Sequence, residues 1–306
     1  MTRGLRPWHL VAGLAVVLAA ALPGASQPPA PTWAPGCTLF PAGNVWNQPV
    51  RDLPVRADSD RLIAAIGLDT GLHPDFSDAG RYGIPYNVVT TRTKRVRVRF
   101  DYASESDRVG YPIPARPRIE RGSDRHILMV DRDRCRLYEL FDARKRAGRW
   151  VAGSGATWDL RSNRLRPGGW TSADAAGLPI LPGLARYDEV ARGAILHALR
   201  FTAPRTRNTY VYPARHQAGS ADPSLPPMGI RVRLKASVPL GGFGPQARIV
   251  LTALRDYGMI LADNGSPWYI TGAPSPGWDD DDLAGLRRIT GSDLEVVDTS
   301  RVRSRP

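Results

Sequence analysis

The chain is poor in cysteine, lysine and histidine, and each shortage removes a class of protein. Only Cys37 and Cys135 occur among 306 residues, too few for a disulfide-dense miniprotein or a four-cysteine zinc module. Lys94, Lys145 and Lys235 are the only lysines, so the formal net charge of +13 is carried almost wholly by arginine. That skew reads as a GC-rich genome rather than selection for phosphate contacts. His73, His126, His197 and His216 lie far apart without metal-ligand spacing. H-E-x-x-H, C-x-x-C, a P-loop and a dinucleotide fingerprint are all missing. AGSGA (152–156) is not G-x-S-x-G, which excludes a nucleophile elbow.

One long apolar run is present, Leu10–Leu22, preceded by Arg3 and Arg6 and followed by PGASQPPA. It is short for a membrane span, which takes about 20 residues, and it has the basic start and small-residue exit of a signal peptide. Residues 1–26 are therefore expected to be a cleaved signal, 27–36 a flexible Pro-rich leader, 37–300 one β-rich domain and 301–306 a disordered tail. WAPGC (33–37) is not a lipoprotein site, because a Pro-rich stretch separates it from the apolar core. An even cysteine count in an exported chain predicts a Cys37–Cys135 disulfide. The expected location is secreted or wall-associated, with no membrane after signal removal. An exported protein meets no genome, so nucleic acid is excluded as partner. A polysaccharide or cell-wall glycan, acidic or not, remains.

Strand signals dominate the rest. KRVRVRF (94–100) alternates Val96, Val98 and Phe100 with Arg95, Arg97 and Arg99. HILMVDRDRCRLYELFD reads as two strands joined at Asp131–Arg134, and RWVAGSGATWDL (149–160) as another. AILHALRFTA, NTYVYP and GIRVRLKA continue a meander. PQARIVLTALRDYG (245–258) is a helix, with Pro245 in its first turn and Gly258 at its stop. DDLAGLRRI (281–289) is a short second helix. MILADN, PWYITG and DLEVVD are further strands. The fold class is mainly β: an antiparallel sandwich or jelly-roll-like single domain with a few peripheral helices.

The chemistry-bearing residues gather at strand ends and in irregular connections, where β scaffolds present function. GWTSADAAGLPILPGLARYDEV (169–190) is too rich in Gly and Pro for regular structure and too apolar for a linker. It carries Trp170, Asp174, Asp188 and Glu189. GLHPDF offers His73 and Asp75, SDRH offers Arg125 and His126, PARH offers Arg215 and His216, and LADNGSPW offers Asp263, Asn264 and Trp268. Each also has a plain structural reading as a turn, a cap or a satisfied core histidine. Asp279, Asp280, Asp281 and Asp282 first suggest a helix N-terminus and second a structural calcium ligand set. No other metal or cofactor is expected.

NVWNQPV, YGIPY, YPIP, GWTSADAAGLPILPGL, PARH and ADNGS together resemble a family of exported bacterial proteins of actinobacterial and acidobacterial type. The resemblance implies export and a single folded unit, and supplies no catalytic residue.

Tryptophan and tyrosine faces pack on sugar rings while Arg, Asp and Asn bond hydroxyls, so the expected function is a carbohydrate-active enzyme. A glycoside hydrolase needs two carboxyl groups, here Asp174 and Asp263, expected about 5 to 9.5 Å apart across a groove. His126 and His216 are the further catalytic candidates. Arg125, Arg215, Asn264, Trp170, Trp268, Asp188, Glu189, His73 and Asp75 are candidates for substrate contact. The alternatives are a polysaccharide lyase with a His or Tyr base, and a glycan-binding protein that does not cut.

Overall fold

The computed structural model describes residues 1, 29–76 and 81–305; the expected signal peptide and the start of the leader lie outside the described residues. Alternating and wholly apolar runs become strands, and the protein is mainly β. A six-stranded sheet runs in the order His73–Asp75, Tyr269–Thr271, Leu199–Ala203, Met259–Asn264, Arg231–Leu234, Leu294–Val296. A four-stranded sheet runs Tyr86–Val89, Ile127–Asp131, Arg136–Phe141, Ser154–Asp159.

Ile127–Asp131 is buried along its whole length, which its unbroken apolar sequence requires. Leu128 and Val130 join the main core, while Ile127 and Met129 join a smaller core with Phe100, Tyr111 and Tyr138. A third sheet, Val98–Phe100, Arg149–Ala152 and Arg144–Arg146, contributes Val98 and Trp150 to that smaller core.

The sheets are mixed rather than an antiparallel meander. His73–Asp75 is parallel to Tyr269–Thr271, Leu199–Ala203 to Met259–Asn264, and Tyr86–Val89 to Ile127–Asp131. RWVAGSGATWDL is two strands in two sheets, divided at Gly153, where a Cβ would stand 2.6 Å from the Phe141 ring. AILHALRFTA forms a strand only over Leu199–Ala203.

The helix Pro245–Asp256 has its proline at the start, with Gly258 at φ +67° just beyond its end. Asp279 caps its own helix by accepting from Asp282 N–H at 3.0 Å. Asp282 in turn caps Pro245–Asp256, accepting from Gln246 N–H at 2.7 Å. This acidic run thus serves two helix N-termini, and among the described residues no group of acids, histidines or cysteines is arranged to hold a metal. Ser59–Gly67, a helix not anticipated from the sequence, buries Leu62, Ile63 and Ile66 on one face.

The described part of the leader and the C-terminal segment pack more closely than expected. Pro31 and Ala34 of the leader are buried, and Trp33 packs against Tyr86 with ring centroids 4.6 Å apart. The segment expected as a disordered tail is docked. Val302 is buried, Arg305 N–H donates to Gly43 O at 2.8 Å, and Val45 N–H donates to Ser304 Oγ at 3.1 Å. Buried Arg231 pins the N-terminal segment to the sheet by donating to the carbonyls of Val45, Gln48 and Tyr257. With no acid beside it, burial lowers its pKa to about 9.

Cys37 and Cys135 are joined in a disulfide across 98 residues. Disulfides persist in oxidising compartments, and no helix among the described residues is long and apolar enough to cross a membrane. Replacing both cysteines (Cys37→Ala with Cys135→Ala) is expected to cost about 2–5 kcal/mol, read as a lower urea midpoint, with a slope unchanged or steeper because the unfolded chain expands. An unchanged midpoint would show that the crosslink adds no stability.

Candidate active site

The segment Gly169–Val190 is irregular and buried at once, so its backbone must find partners other than a ladder. Glu139 supplies several. It sits in the apolar run LYELF, fully buried, and accepts from Ile180 N–H at 2.9 Å and Leu181 N–H at 2.9 Å. Burial pushes its pKa up to about 8 despite those two donors. Ser172 fastens the preceding turn: its Oγ accepts from Asp174 N–H at 3.0 Å and lies 2.6 Å from Leu178 O. Gly177, at φ +68°, leaves no room for a Cβ, which would meet Trp170 O at 2.5 Å.

This bracing delivers Asp174 to Arg200, which stands mid-strand in Leu199–Ala203. The pair is bidentate, with Nε–Oδ2 2.9 Å and Nη2–Oδ1 2.5 Å. The remaining guanidinium nitrogen donates to Thr271 Oγ1 at 2.5 Å. Asp174 has no exposed side-chain surface.

Asp263 reaches the same guanidinium through a β-bulge. Leu261 pairs with Phe201 but Asp263 pairs with Thr202, leaving Ala262 unpaired. Side chains alternate along a strand, so in unbroken register Ala262 would pair with Thr202 and Asp263 with Ala203, pointing away from Arg200. The bulge puts it on the Arg200 face, with Oδ2 3.9 Å from Nη2. Ala262 O is not wasted, since it accepts from Ala176 N–H at 2.9 Å.

Asp263 and Asp174 both face the Arg200 guanidinium. Burial first, then the Asp174 charge, hold Asp263 well above the ordinary carboxylate range. Two adjacent buried carboxyl groups oppose each other's ionisation. Arg200 engages both oxygens of Asp174, so Asp263 is the acid whose charged form is disfavoured. The two acids are therefore not facing catalysts across a groove, as expected from the sequence. They stand one behind the other, with Asp263 alone keeping solvent contact, 22% of its side chain.

His126 lies behind this pair, buried, with Nδ1 2.5 Å from Glu120 Oε2 and Nε2 3.0 Å from Ala173 O. Both neighbours are acceptors, so the ring must carry two protons. Burial opposes that charge, but the Glu120 bond and charge, and then Asp174, outweigh it and raise the pKa to about 9. His126 thus positions the Asp174 turn and does not touch substrate.

Asp174, Asp263 and His216 line one pocket of about 280 Å³, with Tyr102, Glu105 and Ser154 among its other walls. His216 Nδ1 lies 2.8 Å from Ala175 O and its Nε2 stands 3.7 Å from Glu105 Oε2. Glu105 also accepts from Thr171 N–H at 3.0 Å.

The other candidates lie elsewhere. Trp268 is fully buried, stacked on Phe201 at 5.5 Å and donating to Gly67 O, so it cannot meet a sugar. Trp170 covers the Arg166 guanidinium at 5.6 Å. Glu189 is buried between Arg186 and His197, and Asp188 pairs with Arg192. Arg215 donates to Arg166 O, Arg125 to Ala143 O and Asn264 to Thr206 Oγ1, all internal bonds. His73 and Asp75 line a separate pocket of about 450 Å³, where His73 stacks on Tyr269 at 4.0 Å.

The residues missed by sequence reading are Arg200, Glu120, Glu139 and Glu105. For Arg200 and Glu139 a signal existed: each is a lone charge inside an apolar strand, a placement costly enough to demand a partner.

Comparison with protein-family models, curated proteins and solved structures finds no match to this chain.

The buried cluster fixes the sign of pH dependence. His126 and Glu139 have folded pKa values raised above their unfolded ones, so the native state holds the extra protons and loses stability as pH rises, from 4.5 to about 8 through Glu139 and from 6.5 to about 9 through His126. Unfolding free energy is expected to fall by several kcal/mol over that span. A flat or rising profile in urea titrations would contradict the protonated His126. Arg200→Met, which strands buried Asp174, is expected to cost about 3–5 kcal/mol by the same assay.

Proposed function

We propose that this protein is an exported glycoside hydrolase whose general acid is Asp263. The supporting observation is a carboxyl group, Asp263, that burial and then the adjacent Asp174 charge hold above its ordinary range, backed by the Asp174–Arg200 pair at the solvent-facing wall of a pocket. Glycosidic cleavage needs such an acid to protonate the leaving oxygen. The second carboxylate of the reaction is Glu105, on the same pocket, held by Thr171 N–H and facing His216. Asp174 keeps the proton on Asp263 rather than attacking the sugar, since it has no exposed surface.

The pocket volume, at the small end of the roughly 300–1,000 Å³ typical of ligand sites, suits a terminal sugar ring better than a long stretch of polymer. The residues lining it include no Arg or Lys. A lyase acting on a uronate needs a cation against the substrate carboxylate, and Arg200 is already engaged by Asp174, so the observations favour hydrolysis of a neutral residue.

The test is incubation of the mature protein with a panel of bacterial and plant glycans, with products read by mass. Hydrolysis adds water, and a lyase leaves unsaturated products that absorb in the ultraviolet. Asp263→Asn is expected to lower kcat by about 10²–10⁴-fold while Glu105→Gln falls comparably. Activity unaffected by both substitutions, or intact glycan throughout, would dispose of this reading.

A further inference from the structure

The third sheet gathers arginines on one face. Arg146 and Arg149 are directly opposed across the ladder, and Arg144 opposes Val151, which opposes Arg99. Val98 pairs with Trp150, so Arg97, one residue earlier, stands beside Arg149. Paired residues point to the same face, so Arg97, Arg99, Arg144, Arg146 and Arg149 share it, on strands about 4.8 Å apart. All five are exposed. Among the described residues only Arg144 has an acidic partner, Asp142 at 2.5 Å. Like charges directly opposed in a sheet are destabilising, so this face carries a cost that an anionic ligand would relieve.

A groove of about 750 Å³ follows the edge of this sheet, between Arg95–Phe100 and Ala103–Gly110. Its lining alternates Arg95, Arg97 and Arg99 with Val96 and Val98, and Val109 is exposed opposite.

We infer that this arginine face and its groove form a docking surface for an acidic polysaccharide carrying carboxylate groups. Guanidinium forks match planar carboxylates, and exposed Val109 on the far wall of the groove offers an apolar contact for the C–H faces of sugar rings. A polyphosphate has no such apolar face, and a bilayer presents a flat surface that would not fill a groove. The strand bearing Arg97 and Arg99 leads directly to Tyr102 and Glu105, which line the candidate pocket. The surface would therefore hold polymer beside that pocket whether or not the pocket cuts.

The experiment measures binding of the mature protein to polygalacturonate, with dextran, polyphosphate and phosphatidylglycerol vesicles as comparison probes. Binding to polygalacturonate is expected to exceed the others and to weaken as salt rises. The variant Arg97→Gln/Arg146→Gln/Arg149→Gln should bind about tenfold or more weakly, with a melting temperature unchanged or higher because repulsion is removed. Arg146→Gln alone gives the same direction in a minimally altered fold. The control Arg116→Gln/Arg161→Gln/Arg301→Gln, with equal charge loss on exposed arginines elsewhere, should keep its affinity. Equal losses in both triple variants, no binding to polygalacturonate, or tighter binding to polyphosphate or vesicles would each overturn the assignment. None of these readouts depends on glycan cleavage, so a failed hydrolase assay leaves them intact.

Discussion

The bidentate contact between Arg200 and Asp174 is the constraint around which the rest of the site is arranged. A guanidinium in the middle of an apolar strand is tolerable only with a carboxylate fixed against it. That carboxylate lies on a segment with no regular structure, so the segment itself must be held rigid. Glu139 and Ser172 bind its backbone, His126 donates to Ala173 O, and the bulged Ala262 O accepts from Ala176 N–H. Each of these groups has its own partner, and the network ends in charges that cannot leave without stranding a neighbour.

The arrangement has a chemical consequence. Acids in the cluster, namely Asp75, Glu120, Glu139, Asp174 and Asp263, outnumber its cations, Arg200 and His126. Burial opposes ionisation across the set, and Asp75, Glu139 and Asp263 are the members held above the ordinary carboxylate range. Asp75 is pushed up chiefly by burial and then by Glu120, which extends the excess of acid toward the neighbouring pocket. Perturbed acids at a pocket wall are a recurring mark of catalytic sites, and here the perturbation has a visible structural cause.

Much of the fold was legible because its strands are long apolar or alternating runs and its principal helix carries terminal signals. The disulfide followed from an even count of two cysteines. The sheet order was not legible. Parallel pairing of Leu199–Ala203 with Met259–Asn264 depends on crossovers, and nothing local to either strand encodes a crossover. The site was half legible: polar residues in Gly- and Pro-rich connections pointed to Asp174, Asp263 and His216. Their mutual geometry was hidden, because a one-residue bulge decides which face Asp263 occupies. Trp268 misled for a related reason, since an indole beside a polar loop reads alike whether it lines a groove or fills the core.

The central claim is that Asp263 keeps its proton because Arg200 claims both oxygens of Asp174. Carbon-13 NMR titration of the aspartate side-chain carboxyls, with Asp263 assigned through Asp263→Asn, measures this directly. The account predicts an Asp263 resonance that remains in its protonated position well above the pH at which exposed aspartates such as Asp133 titrate. An Asp263 that ionises together with those surface residues would contradict it.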